Sequence, residues 1–279
     1  MIIAHYHQYL EEVIAIAMSA GRAIMQVYAT DFTVENKADN SPLTQADLSA
    51  NQVIVSALSL LTPTTPVLSE ESATVDFEAR KRWQQYWLID PLDGTREFVK
   101  RNGEFTVNIA LIDCGRPVLG VVYAPVTGLL YFATHKYGAY KQLGIESALP
   151  IHTKILNLNQ PVLAISRSHT EQLTHSFIQH LEAACNNPAE LIPMGSSLKI
   201  CMVAEGLADV YPRLGPTSEW DTGAAHCILQ EAGGDIVDTF GETLRYNAKS
   251  SLLNPFFFAQ GEPDFNWAQF LEPILTNAN

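Results

Sequence analysis

Asp90 and Asp93 stand three residues apart, with Pro91 between them and Gly94 and Thr95 directly after. Carboxylates this close suit a hard divalent cation such as Mg²⁺, which takes oxygen ligands from a few carboxylates, water and substrate phosphate. Proline fixes φ and donates no backbone hydrogen bond, and glycine admits conformations that a Cβ would block. The run therefore predicts a sharp turn after an apolar strand end at residues 87–89, with both carboxylates converging on one point. Residues 95–100 read as the start of a helix, and a helix N-terminus attracts phosphate. Taken alone, such a run is more often an acidic surface turn. Other acids stand near predicted element ends. Glu70 and Glu71 follow a short strand over 66–69, and a strand end is where α/β proteins place ligand-binding groups. Asp221 follows Trp220 at a predicted helix start, where an isolated Asp is usually a cap.

The elements that must hold these acids are legible in the apolar spacing. Leu10, Val13, Ile14, Ala17, Ala20, Ile24 and Val27 trace one face of a helix over 6–28. A strand is expected over 32–37, broken by Asn40, Ser41 and Pro42. Thr44 opens a second helix to about residue 61, and Thr44 with Asp47 has capping-box spacing. Past the central turn, segments 105–112, 117–123, 128–134 and 138–141 are rich in β-branched and aromatic residues, with Gly- and Pro-bearing turns between them. They predict consecutive antiparallel strands, followed by a connecting segment over 145–160. Beyond it, strands are expected at 162–166, 209–211 and 256–259, and helices at 170–184, 197–204, from 220 and over 267–275. Ser196 is the candidate N-cap of the helix ending at Ala204.

The chain has 279 residues, 47% hydrophobic content and a formal net charge of −13. That is ample for a large core, as one domain or two joined lobes. The acidic balance argues against nucleic acid as a partner and leaves a small anionic substrate in need of local cations. Lys199 in GSSLK and Arg213 in VYPR are two such cations, although a lone Lys or Arg is by default a surface residue. No apolar run approaches the roughly 20 residues of a membrane span. The opening MIIAHYHQYLEEV lacks a basic region followed by an apolar stretch, so a cytoplasmic protein is expected. Cys114, Cys185, Cys201 and Cys227 are scattered and read as reduced core residues. The eight histidines show no ligand spacing, and His169 and His226, near the acidic segments, read as structural.

DPLDGT closely resembles the first signature of the inositol monophosphatase superfamily, the lithium-sensitive, magnesium-dependent phosphomonoesterases. WDTGAA at 220–225 resembles the second signature, and LSEES at 68–72 the acidic segment that precedes the first. The position of Gly223 is usually Ala there, which predicts a slightly weaker helix start. The runs KADNSPLTQAD, KRNGEFTVNIALID, GVVYAPV, ISRSH, GSSLK and VAEGLADVYPR resemble the bisphosphate nucleotidase branch more closely still.

The resemblance implies an α+β fold layered α-β-α-β-α, with an N-terminal lobe over 1–155, a C-terminal lobe over 156–279 and the site between them. It implies two or three Mg²⁺ ions, one held by Glu70, Asp90 and the Leu92 carbonyl and a second by Asp90, Asp93 and Asp221. Two such ions roughly 4 Å apart clamp the attacking and leaving oxygens of an in-line displacement. Glu70 and Thr95, the latter steadied by Asp47, would orient the water, while Gly94 and Thr95 offer amides to the phosphate. Substrate contacts are expected from Glu70, Leu92, Asp93, Gly94, Thr95, Ser196, Ser197, Lys199, Arg213 and Asp221. The implied reaction is hydrolysis of the 3′-phosphate of adenosine 3′,5′-bisphosphate to AMP and phosphate, serving sulfur assimilation and nucleotide recycling. Phosphorylated adenylyl sulfate remains open as a second substrate. So do the oligomeric state and a peripheral seat on the cytoplasmic face of the inner membrane. Inositol monophosphatase and fructose bisphosphatase are the alternatives within the family. An aspartyl-phosphate mechanism would use two aspartates at a two-residue step, which the three-residue step here does not match. A metal-dependent nucleotide sensor would need a decayed site, and all the expected acids are present.

Overall fold

The computed structural model describes residues 6–36, 42–72, 75–167, 172–185 and 187–271. A 3₁₀ turn at Tyr6–Tyr9 leads into α1 (Leu10–Tyr28), whose buried Leu10, Val13, Ile16, Ala17, Ala20 and Ile24 recur at helical spacing. An antiparallel ribbon of β1 (Val34–Asn36) and β2 (Pro42–Thr44) delivers the chain to α2 (Gln45–Leu61). Thr44 caps α2 as its spacing predicts. The Thr44 amide and hydroxyl each donate to Asp47 Oδ2 at 2.7 Å, and Ala46 N donates to Thr44 Oγ1 at 3.1 Å. Lys37, Asn40 and Ser41 lie outside the described residues.

The first sheet holds seven strands in chain order. They are β3 (Val67–Ser69), β4 (Gln85–Asp93), β5 (Thr106–Asp113), β6 (Arg116–Ala124), β7 (Leu129–Thr134), β8 (Gly138–Leu143) and β9 (Leu149–Ile151). Short helices α3 (Phe77–Arg80) and α4 (Thr95–Val99) flank β4. β3 and β4 are parallel, and the later pairs are antiparallel. The second part of the chain runs through β10 (Val162–Ser166), α5 (Gln172–Ala184), β11 (Glu190–Met194), α6 (Leu198–Ala204), β12 (Val210–Arg213), α7 (Glu219–Glu231), β13 (Asp235–Asp238) and β14 (Phe257–Gln260). Its five strands lie in the order β11-β10-β12-β14-β13.

Strand side chains alternate between faces, and the apolar sets divide accordingly. Trp87, Ile89, Ile109 and Leu111 pack with α1 and α2, whereas Tyr86, Leu88, Ala110 and Ile112 pack with α6 and α7. The far side of α6 and α7 meets the second sheet through Ile236, Phe257 and Ala259. Phe177 and Leu181 of α5 cover that sheet's outer face against Leu163, Val210 and Phe258. The result is the predicted α+β sandwich, in the layer order α-β-α-β-α. Each fully buried Leu, Ile or Phe contributes about 1.5–3 kcal/mol, so the two helix-facing cores hold both sheets firmly.

Several expectations are corrected. The strand does not end at Ile89: β4 continues through Pro91 to Asp93, with a bulge between Asp90 and Asp93. A bulge tolerates a proline because no ladder bond is required of it. The sharp turn falls instead at Gly94, whose φ is +92°. β9 lies in the expected connection, and β13 had no expected counterpart. Ser196 is not a cap, since its φ is +49° and α6 begins at Leu198 after Ser197. Cys201 and Cys227 are buried and free, but Cys114 is exposed and Cys185 half-buried. The last helix appears as a 3₁₀ turn, Trp267–Phe270. Its continuation to 275, together with His169 and Thr170, lies outside the described residues.

α7 sits so close to the first sheet that a Cβ on Gly120 would fall 2.2 Å from the Ala224 carbonyl oxygen. A Cβ on Gly223 would press on the end of Leu88, at 2.9 Å from Cδ2, and touch Ala110 and Tyr246 at ordinary contact distances. Gly120→Ala is therefore expected to cost about 1–3 kcal/mol in denaturant unfolding. Gly223→Ala should stay within about 1 kcal/mol of the parent, because Leu88 can turn and alanine favours helix. Equal midpoints for the two variants would contradict this packing.

Candidate active site and metal centre

On a flat strand, residues three apart point to opposite faces. Asp90 pairs with Asn108 and Asp93 with Thr106, so Pro91 and Leu92 together oppose Val107. The extra residue of the bulge brings both aspartates to the same side. Asp221 joins them from the first turn of α7. One carboxylate oxygen from each of Asp90, Asp93 and Asp221 lies within 4.8 Å of the others. Glu70 begins the turn after β3, where the parallel register puts Ser69 beside Ile89 and hence Glu70 beside Asp90. Its carboxyl shares a hydrogen bond with Asp90.

Each acid is held from behind. Asp90 Oδ1 accepts from Leu92 N at 3.0 Å. Asp93 Oδ2 accepts from Ser197 N at 2.5 Å and from Asn108 Nδ2 at 3.4 Å, while Ser197 Oγ donates to Asn108 Oδ1 at 2.8 Å. Asp221 closes a capping box with Ser218, accepting from Ser218 N at 2.8 Å through Oδ2. Its cap and its place in the cluster thus use one carboxylate. Thr95 opens α4, and its hydroxyl lies 3.2 Å from Asp47 Oδ1 and 3.3 Å from the Leu92 carbonyl. Asp47 therefore serves both helix cap and Thr95. A Cβ on Gly94 would sit 3.1 Å from the Glu104 carbonyl, which adds to the strain any side chain would meet at its positive φ.

Burial and mutual repulsion act together on these carboxyls. Asp90 is 1% exposed. Desolvation first, then the charges of Glu70, Asp93 and Asp221, push its pKa well above the ordinary carboxylate range. Desolvation also raises Asp93, against the pull of Lys199, Ser197 and Asn108. Asp221 is pushed up to about 8 by desolvation and by Asp93 and Glu70. An all-oxygen donor set of crowded carboxyls, each favouring its proton for want of a positive charge, fits a hard divalent cation.

The cluster opens into a cavity of about 460 Å³ lined by Glu70, Asp93, Gly94, Thr95, Ser196, Ser197, Lys199, Arg213 and Asp221, with Trp220 and Leu253 among its apolar surfaces. Asp47, Asp90 and Leu92 stand just behind this lining. Lys199 is 5% exposed and Arg213 9%. The Lys199 ammonium donates to the Ser196 carbonyl and lies 5.1 Å from the Tyr211 ring centre. Desolvation lowers its pKa to about 8, partly countered by Asp93. Arg213 donates through Nη2 to the Pro216 carbonyl at 2.7 Å, which leaves its buried Nε without a partner; Ser196 Oγ is equally buried and unpartnered. Sequence reasoning missed Asn108, whose role needs the strand register, and Arg96, which also lines the cavity. Arg96 directly follows Thr95 and reads from sequence as a surface cation.

Residues 5–266 match the model of the inositol monophosphatase family. The chain is 48% identical over 250 residues to a 3′(2′),5′-bisphosphate nucleotidase, CysQ, of Salmonella typhimurium, covering 89% of this chain and 98% of that protein. It is 38% identical to CysQ of Haemophilus influenzae, covering 94% and 96%. The crystal structure of CysQ from Bacteroides thetaiotaomicron superposes with a TM-score of 0.79 at 42% identity, covering 91% of this chain and 97% of that one. An inositol monophosphatase from Thermotoga maritima superposes at 0.78 with 23% identity, covering 96% and 98%, and so shares the fold.

The raised carboxyl pKa values carry a pH signature. In chelator, the folded protein keeps protons on Asp90 and Asp221 that the unfolded chain releases above about pH 4. Stability should therefore fall as pH climbs from about 4 toward 8, the value to which Asp221 is raised. Mg²⁺ binds best once those protons leave, so its stabilising shift in Tm should be larger at about pH 8 than at about pH 5.5. Thermal melts with EDTA and with Mg²⁺ check both slopes, and a Mg²⁺ shift that shrinks with rising pH would contradict the cluster as a cation site.

Proposed function

We propose that this chain, which belongs to the inositol monophosphatase family, removes the 3′-phosphate of adenosine 3′,5′-bisphosphate by metal-dependent hydrolysis. One observation carries the reading: a single cavity is lined both by an acidic cluster and by two buried cations, Lys199 and Arg213. A substrate with one phosphate at the acids and a second anionic group elsewhere matches that bipolar lining. An inositol monophosphate has no second phosphate to offer. The unpartnered Arg213 Nε and Ser196 Oγ support the same reading, since buried polar groups normally find partners. The names of the bacterial relatives agree with it.

In this proposal Glu70, Asp90, Asp93, Asp221 and the Leu92 carbonyl hold Mg²⁺. When bound, Mg²⁺ supplies the positive charge that makes water a better nucleophile and neutralises developing charge on the phosphate. Glu70 and Thr95 orient the attacking water. The Thr95 hydroxyl is preset for this by Asp47, whose other oxygen is committed to the α2 cap. The amides of Gly94 and Thr95 face the scissile phosphate. Ser196, Lys199 and Arg213 take the 5′-phosphate and so orient the reacting end, the use of remote binding energy that raises kcat as well as affinity. Ser197 lines the same cavity, and its amide keeps Asp93 in place. The phosphoryl group passes to water without a bond to the protein.

Two outcomes are expected in a phosphate-release panel. Removing the 5′-phosphate, as in 3′-AMP, lowers kcat/KM substantially. Losing one buried ionic contact costs about 2 kcal/mol, so Arg213→Ala or Lys199→Ala should lower kcat/KM roughly thirtyfold on the bisphosphate and much less on 3′-AMP. A variant that loses the same factor on both substrates does not read the second phosphate. If 3′-AMP and inositol 1-phosphate are hydrolysed as well as the bisphosphate by the parent enzyme, the substrate assignment is wrong. Phosphorylated adenylyl sulfate in the panel tests the second substrate. Separately, Asp93→Asn should abolish most turnover at low Mg²⁺ while circular dichroism stays unchanged, and near-parent activity there would remove Asp93 from the ligand set.

A further inference from the structure

A polar chain runs through the middle layer behind the acidic cluster and reaches the cavity wall at Thr222. His226, with 0% exposure, lies one helical turn after Thr222 on α7. Its Nε2 lies 2.8 Å from Asp235 Oδ1 and its Nδ1 2.8 Å from the Tyr246 hydroxyl. The Tyr246 hydroxyl donates to Thr222 Oγ1 at 3.2 Å. Thr222 Oγ1 also accepts from Asn254 Nδ2 at 3.2 Å and donates to the Glu219 carbonyl at 3.1 Å. Asn254 Nδ2 in turn reaches the Ser218 carbonyl at 2.8 Å, beside the cap that Asp221 closes. At the other end Asp235 is held on β13 by Thr243 Oγ1 at 2.6 Å and its neighbour Ile236 N at 2.9 Å, and also accepts from Gln230 Nε2 of α7 at 3.0 Å.

We propose that the chain Asp235–His226–Tyr246–Thr222 is a positioning device that sets the seat of Asp221, and with it the affinity of the acidic cluster for a divalent cation. α7 lies between two sheets and is held there mainly by apolar contacts. Apolar contacts are non-directional and tolerate small rotations about the helix axis. A carboxylate roughly 5 Å from that axis moves by about 1 Å for a rotation of about 10°. Hydrogen bonds are directional, and this chain grips α7 at Thr222 and His226, residues i and i+4 on one face. Burying an imidazole, a phenol and a hydroxyl at this depth costs free energy unless every partner is supplied, and hydrophobic residues would fill the volume more cheaply. What the polar chain adds is a fixed rotational setting for the turn that carries Asp221. Groups behind metal ligands act in this way by orienting the ligand.

The inference rests on reading the acidic cluster as the metal centre, and direct binding separates the two. Mn²⁺, followed by the electron paramagnetic resonance of the free ion, is titrated into the full chain without substrate, and melts in EDTA report the fold. Parent protein that binds no Mn²⁺ overturns the metal centre itself. With the parent binding, Thr222→Val, which keeps shape and loses the hydroxyl, should weaken Mn²⁺ binding about tenfold. Tyr246→Phe should weaken it about three- to fivefold, and Thr222→Ser should stay near the parent value. A brace that serves only the core would lower Tm and leave the dissociation constant alone. Mn²⁺ constants within twofold of the parent in both Thr222→Val and Tyr246→Phe overturn the proposal. Failure of both variants to fold while Thr222→Ser folds assigns the chain to core stability and overturns it equally.

Discussion

The governing constraint is electrostatic. Asp90, Asp93 and Asp221 are gathered within 4.8 Å, with Glu70 hydrogen-bonded to Asp90; Asp90 is fully buried and the other two are half-buried. Like charges at that range oppose folding, and the protein answers with structure rather than distance. Backbone amides of Leu92, Ser197 and Ser218 each hold one of the three aspartates, and a bulge turns two of them to one side. The remaining repulsion is left uncompensated by protein cations, apart from Lys199 and Arg213 nearby. Under the proposed function, that unbalanced charge is what would draw a cation to the cluster.

How much of this is legible in the sequence depends on the length scale of the cause. Local causes read well. The Thr44–Asp47 cap, the amphipathic face of α1 and the antiparallel strands between turns all follow from near neighbours along the chain. The acids themselves stand out by type and spacing. The geometry of DPLDGT did not follow, because a proline between two aspartates suggests a turn, and only pairing with β5 reveals a bulge that lets the strand continue. Ser196 failed as a cap for a similar reason. Its left-handed backbone is set by the approach of the β11–α6 loop to Glu104, which accepts from Gly195 N at 2.8 Å. Asn108 could not be found at all, since nothing in TVNIALID distinguishes an orienting amide from an ordinary strand residue. β13 is short, and its strand partner β14 lies further along the chain.

The acids and the cations of the cavity come from different elements, though Asp221 and Lys199 share the middle layer. The cluster's acids come from the first sheet and from the start of α7, whereas Lys199 and Arg213 come from α6 and β12. Arg167 pins the approach between them, donating to both oxygens of Glu104 at 2.7 Å and to the Pro193 carbonyl. Being partly exposed, that pair adds modest stability, but its bidentate form fixes orientation.

The clustered acids are dispersed along the chain. Asp93 and Asp221 are separated by about 130 residues of intervening chain, and the cluster forms only when the first sheet and the helical layer packed on it have come together. No fragment of the sequence can make it in advance. A cation seated there is a late cross-link that closes a very long loop, arriving after the topology is complete and resisting its reversal. Its effect should fall chiefly on the rate of unfolding and leave the rate of folding almost unchanged. A metal held there, as proposed, would double as a kinetic lock on the finished sandwich.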